Sequence, residues 1–481
     1  MSISLPAALA VMVFIYTLLF PSARLFGDPD IYWHLATGNW VLTQHQAPIA
    51  DIFSYTILGR PWVDHEWLSE LIMALVQSTF GLAGLRALMA LLFAATIGIQ
   101  ARFLMGLMPP IYALLLTAIS FISVLGHLIA RPHVFTWLII TIWVIGLLKA
   151  NQKGWKPPYF LSLLMVLWAN IHGGFILGLA LIPFFALNAL LSCTKTERIE
   201  VIKSWMLFMI LCTLCSIVTP YGWKSLALGP SLLAMRYTSQ IIEWIPASGV
   251  DLLPIEIWLV IILGMAFFCR LKPSVATYLM LIALLHESLA HIRYVSIFGL
   301  IAPLLVAEPF KNGIAQIRNL QGGKGALDRF FTAWATPTSK LNLALVTTAL
   351  LALAAFTSPL QENRFSPAIT PKQALEEIQS TGVTGNGLNH YNFGGYLIGK
   401  NIPVFIDGRA DLYGDKDMGN YFDLTESVDG KKIAQELDDR KINWVLMRPN
   451  EKILLYLDQH PKEWKKVYTD DYCVAYVKIF R

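Results

Sequence analysis

Long apolar runs recur from the N-terminus to about residue 358, and no other feature constrains the fold more. A helix needs about 20 apolar residues to cross the hydrocarbon core, with about 17 as a working minimum. Candidate spans lie at 4–21, 84–105, 110–129, 133–149, 157–172, 174–192, 203–219, 253–270, 274–290, 292–308 and 341–358; of these, 133–149 and 157–172 carry the weakest signal. The expected fold class is an α-helical polytopic membrane protein with about 11 transmembrane helices and a small C-terminal α/β domain. Charge content agrees: 14% of the 481 residues are charged, against roughly 25% in a soluble domain. The mean hydropathy is +0.55. The first run, about Leu5 to Phe20, lacks a basic leader, and Arg24 follows it without a small-residue cleavage site, so it reads as an uncleaved span.

Lysine and arginine set the direction of insertion, because cytoplasmic loops carry their excess. The clusters are Lys149, Lys153 and Lys156; Lys195, Arg198 and Lys203; Arg270 and Lys272; and Lys311, Arg318, Lys324 and Arg329. If residues 67–80 form an interfacial helix instead of a span, all four clusters share the side of the N-terminus. The expected topology is then a cytoplasmic N-terminus, with loop 22–83 and the domain after residue 358 on the external face. Short clusters between apolar runs also account for the net charge of +5, which excludes nucleic acid as a partner. The five cysteines show no zinc-like pairing, and Cys212 and Cys215 fall inside an apolar run as packing residues.

On that external face the chain gathers its polar motifs. Asp28-Pro29 suits a helix start, with Asp28 as cap. Asp30 and His34, spaced i, i+4, share a helical face, an arrangement suited to a general base or to ligands of a divalent cation. Asp64, His65 and Glu66 form a second acidic group, in which capping of the helix at Trp67 is the first reading of Asp64 and a direct catalytic role the second, and Asp51 precedes them in the loop. Arg131, His133, His172, His291 and Arg293 fall at span ends, where an ionisable group is costly unless paired or facing water. Arginine offers a planar fork matched to phosphate oxygens; snorkelling to headgroups is the plainer account. His127 reads as a packed histidine within a span, and loop 220–252, carrying Glu243, as a lid or acceptor platform.

The tail, 359–481, mixes helix-like stretches at 371–380 and 431–440 with strand-like runs at 403–406, 443–447 and 473–479. Asp407, Arg409 and Asp411 follow the first of these runs, as ligand residues or as an internal salt bridge.

The ordered set DPDIYWHLATGNW, ADIFSY, WVDHEWLSE, NHYNFGGYL and FIDGRADLYG resembles bacterial members of the GT-C superfamily of membrane glycosyltransferases. The likeness extends to protein-mannosyltransferase and aminoarabinose-transferase-like proteins. The resemblance implies a bacterial inner-membrane enzyme that transfers a sugar from a polyprenyl-phosphate donor to an external glycan, lipid or protein acceptor. It implies a catalytic aspartate in the first external loop, carried by Asp28 or Asp30, with Asp30 favoured as base and Asp28 as its partner or a ligand of Mg or Mn. Arg131, His172 and Arg293 would hold the phosphate, with His34, His133 and His291 as further phosphate- or donor-binding residues. A transporter of a lipid-linked intermediate and a non-catalytic envelope assembly factor are the rival readings.

Overall fold

A computed structural model describes residues 4–152, 156–237, 241–268, 272–321, 330–332, 338–357 and 364–480, without the side chains of 230–234, 242, 315–321 and 340. Lys153, Cys269, Arg270, Lys324, Arg329, the Arg318 side chain and the boundary at 358/359 lie outside the described residues.

Helices α1 (Leu5–Leu19), α2 (Ser22–Leu25) and α3 (Ile31–Gln44) open the chain, followed by α4 (Trp67–Leu107), α5 (Pro110–Leu125) and α6 (His133–Gln152). The bundle continues through α7 (Leu163–Ile171), α8 (Phe175–Ser192), α9 (Arg198–Ser216), α10 (Lys224–Ala234), α11 (Leu253–Phe268), α12 (Val275–Ala290) and α13 (Tyr294–Gln321). Among the described residues six helices are long and apolar enough to cross a membrane. Shorter apolar helices occur at Leu5–Leu19, Pro110–Leu125, Tyr159–Ile171, Val275–Ala290 and Leu341–Thr357. Every sequence-derived span therefore falls on an apolar helix. Loop 220–252 differs from expectation, since it contains α10.

Helix α4 is two helices joined at Gly81, whose φ of 63° and ψ of −164° are non-helical. Glycine reaches that backbone region without a Cβ clash. The break separates 67–80 from the apolar 82–107, the division that hydropathy predicts. Arg86, just past it, donates to the carbonyls of Leu18 and Phe20 at the end of α1. A cation there satisfies orphan carbonyls and the negative end of the helix dipole. The bundle core is aromatic, with Phe14, Phe93, Trp137, Trp143, Trp168 and Phe175 fully buried.

The tail carries a four-stranded sheet in the order β1-β2-β4-β3: β1 (Asn386–Asn389), β2 (Ile442–Met447), β3 (Trp464–Thr469) and β4 (Val474–Lys478). β1 and β2 run parallel and the other pairs antiparallel. Helices Lys372–Ser380 and Gly430–Asp439 lie where sequence places them. The run 403–406 does not join the sheet. Val404 makes one bridge with Ser54 instead, exchanging backbone hydrogen bonds with Phe53 and Tyr55. Asn389 occupies the remaining groups, accepting from the Phe405 N–H and donating to the Ile406 carbonyl. The apolar run that looks like a strand is thus the seam between the tail and the first loop.

Candidate active site

At one end of the bundle, loop 26–66, the turn before α6, the turn between α7 and α8, the segment 241–247 and the tail converge. Arg131, in the turn before α6, joins the first loop to segment 241–247. Its Nη2 lies 2.7 Å from Asp30 Oδ2, its Nη1 lies 3.4 Å from Asp28 Oδ2, and Nη1 also donates to Glu243. Asp28 turns its other oxygen inward, accepting the Asp30 N–H at 2.9 Å, so it closes the turn that starts α3 while its second oxygen faces Arg131. Burial raises the Asp28 carboxyl to about 7 against the pull of Arg131, with Asp30 and Glu243 adding to the rise. Asp30 is raised too, first by burial. For Glu243 burial acts upward, yet Arg131, Arg293 and His133 outweigh it and bring the group to about 2. One strong cation therefore faces three carboxylates of unequal proton affinity, with Glu243 the firmest anion.

The expected pairing of Asp30 with His34 does not form. His34 is fully buried, and its Nδ1 lies 2.7 Å from Glu70 Oε1. Their spacing puts both on one face of α3, but the ring turns toward α4, where Gly38 lets the helices approach until a Cβ would strike the Glu70 carbonyl. His34 does not reach the donor cavity described below, contrary to its expected place among the phosphate-binding residues. Asp64 accepts the Glu66 N–H at 3.1 Å, the capping role open to it from sequence. Burial raises Asp64 to about 6 and Glu66 to about 7.

Beside Arg131 a cavity of about 380 Å³ opens between α6, α8, α12 and α13. His65, Glu66, Arg131, His133, His172 and Arg293 line its polar end, and Leu177, Phe184 and Leu284 are among its apolar walls. His172 Nδ1 accepts from the Gly174 N–H and the Thr136 hydroxyl, so Nε2 carries the proton and points at Glu66 Oε1, 3.3 Å away. Arg293 lies over the Trp244 ring at 4.7 Å. His291 does not line the cavity; its Nδ1 donates to the Trp244 carbonyl and fastens segment 241–247. His127, expected inside a span, sits in the turn after α5 on the cavity wall, and its carbonyl accepts from His133. Neither Asp28 nor Asp30 lines the cavity: Arg131 stands between them and it.

The tail closes the other side. Arg409 makes a bidentate pair with Asp407 and reaches Asp51 at 2.8 Å, with all three side chains wholly buried. Tyr413 donates to Asp407 as well. This is the internal salt bridge that sequence allowed, extended to the first loop, and it leaves no open face for a ligand. Asp411 is half-buried, with His65 among the charges acting on it. Two residues that sequence reasoning passed over as site members are Glu70 and Glu243. Glu70 stood one helical turn beyond Glu66, which was the available signal; Glu243 was placed in a lid or acceptor loop, with nothing in the sequence to pair it with Arg131.

No protein-family model matches this chain, and no curated protein matches it. Solved structures do. An apo oligosaccharyltransferase from Archaeoglobus fulgidus aligns with a TM-score of 0.53 at 11% identity, over 92% of this chain and 69% of that one. The Archaeoglobus fulgidus oligosaccharyltransferase AglB in complex with an inhibitory peptide and a dolichol-phosphate aligns at 0.52 and 10% identity, over 92% and 68%. ArnT from Cupriavidus metallidurans, bound to undecaprenyl phosphate, aligns at 0.52 and 12% identity, over 99% of this chain and 97% of that one. The protein thus shares the fold of these proteins over 92–99% of its length.

Proposed function

We propose that the protein is a membrane glycosyltransferase that takes its sugar from a polyprenyl-phosphate-linked donor and passes it to a glycan, lipid or protein acceptor on the external side. The observation that carries this reading is the cavity beside Arg131, polar at the end facing the acidic loop and apolar along the helices. That polarity matches a lipid phosphate with its isoprenoid tail, the ligand type present in two of the similar structures. Arg131 and Arg293 neutralise the leaving phosphate, and His172 Nε2–H supplies a neutral donor; stabilising the leaving charge is where such a site gains most of its rate.

The aspartates lie across Arg131 from the cavity, the position from which a base meets an acceptor instead of the donor. Sequence favours Asp30 as base. The geometry favours Asp28, because Asp30 is held closer to Arg131 and is covered by Gly408, while Asp28, at about 7, is half ionised near neutral pH. Inward-directed basic clusters support a cytoplasmic N-terminus and an external tail.

The test is transfer of labelled sugar from short polyprenyl-phosphate donors by purified protein in proteoliposomes. Asp28→Asn should lower turnover at least about a hundredfold while leaving donor binding intact. Arg293→Met should weaken donor binding. Full turnover in Asp28→Asn and Asp30→Asn alike would remove the first loop from the chemistry.

A further inference from the structure

Below the cavity, His34 on α3 and Glu66 and Glu70 at the start of α4 bring one ring nitrogen and two carboxylate oxygens within 4.8 Å of one another. His34 Nδ1 stands 2.7 Å from Glu70 Oε1 and 3.8 Å from Glu66 Oε2. Ligands held tetrahedrally at about 2.1 Å from a metal lie about 3.4 Å apart. The first distance must open and the second close by well under 1 Å, within reach of small side-chain rotations.

Charge points the same way. Asp64, Glu66 and Glu70 are at most 8% exposed, and Asp64 meets Glu70 through its side chain. Glu70 Oε2 and Asp64 Oδ2 are buried oxygens with no hydrogen-bond partner. Arg131 is engaged by Asp28, Asp30 and Glu243, and Arg409 by Asp51 and Asp407. Buried carboxyl oxygens that no N–H or hydroxyl donor reaches are unfavourable, and a divalent ion coordinates them in place of the protons they otherwise hold.

We propose that His34, Glu66 and Glu70 bind one divalent transition-metal ion, with the Asp64 carboxylate beside it. One imidazole nitrogen among carboxylate oxygens suits zinc first and manganese second; magnesium favours an all-oxygen shell that keeps its waters. The ion ties α3 to α4 through Glu66 Oε2, and so fixes Glu66 Oε1 where it meets His172 at the cavity. It acts as a positioning element, and neither Asp28 nor Asp30 is among its ligands.

The experiment measures metal content of the full chain in detergent after chelator treatment and re-addition of Zn²⁺ or Mn²⁺ alone, so it does not depend on transfer activity. The expected result is one retained ion per chain, with a zinc absorption-edge spectrum showing a single imidazole among oxygens. His34→Gln and Glu70→Gln should each weaken retention at least about tenfold, and Asp28→Asn combined with Asp30→Asn should keep the ion. Folded wild-type protein that retains no zinc or manganese overturns the proposal, as does loss of the ion in the double aspartate variant with retention in Glu70→Gln. The wild-type spectrum decides the matter even if the glutamine variants fail to fold.

Discussion

Gly408 lies with its α-carbon against the Asp30 carboxylate, so that a β-carbon at this position would fall on Oδ1. Gly395 meets the Pro29 carbonyl in the same way, and Gly394 meets Asp407. The two glycine-bearing motifs of the tail are therefore the surface that seats it on the Asp28-Pro29-Asp30 turn.

Gly408→Ala should disturb both stability and site. Overpacking costs about 1–3 kcal/mol, and the Asp30 carboxylate must leave its 2.7 Å contact with Arg131. Lower thermal stability together with reduced sugar transfer is the expected outcome; an unchanged melting temperature would show that the tail shifts without strain.

Arg131→Met removes the shared cation of Asp28, Asp30 and Glu243. Loss of one partner from a largely buried ion cluster costs about 3–5 kcal/mol. Arg131→Lys keeps the charge but loses the fork, and it should retain the fold while losing most donor affinity. Comparative thermal unfolding, with and without donor, separates the two effects.

The pH dependence has a definite sign. Asp28 is raised from 3.8 to about 7 in the folded state, so its protonated form is the favoured one. Its stabilising contribution is present below the unfolded value and fades as pH rises through about 7. Glu66, also raised to about 7, adds in the same direction. Glu243, lowered to about 2, contributes oppositely, losing its stabilisation as pH falls from about 4.5 toward 2. If Asp28 is the base, turnover rises with an acid limb near pH 7 while stability declines over the same range. Asp28→Asn should abolish that limb in a pH–rate profile.

Arg409→Met should release the tail. Asp51 and Asp407 would be left as buried, uncompensated carboxylates, at a cost of about 3–5 kcal/mol. Faster proteolysis of the tail, with the helical content of the bundle retained, is the expected result by limited digestion and circular dichroism.

The helices, the division of 67–80 from the span that follows and the gathering of polar motifs were legible from sequence because hydropathy is a local property. The Asp407–Arg409 pair was legible for the same reason, its members being two residues apart. Val404 was misread because an apolar run with β propensity carries no mark of its partner, and that partner, Ser54, lies in another part of the chain. His34 was misassigned because i, i+4 spacing on α3 names a face without saying what opposes it.

What the sequence by itself determined is a polytopic helical bundle with an acidic first loop, basic span ends and an α/β tail. Those follow from composition and periodicity along the chain. The tertiary structure alone decided which carboxylates share Arg131, that Arg131 separates the aspartates from the cavity, and that His34 faces Glu70. Each rests on contacts between residues far apart in sequence, as Asp28 and Arg131 are, and such contacts are settled by how helices pack and where small residues let backbones meet.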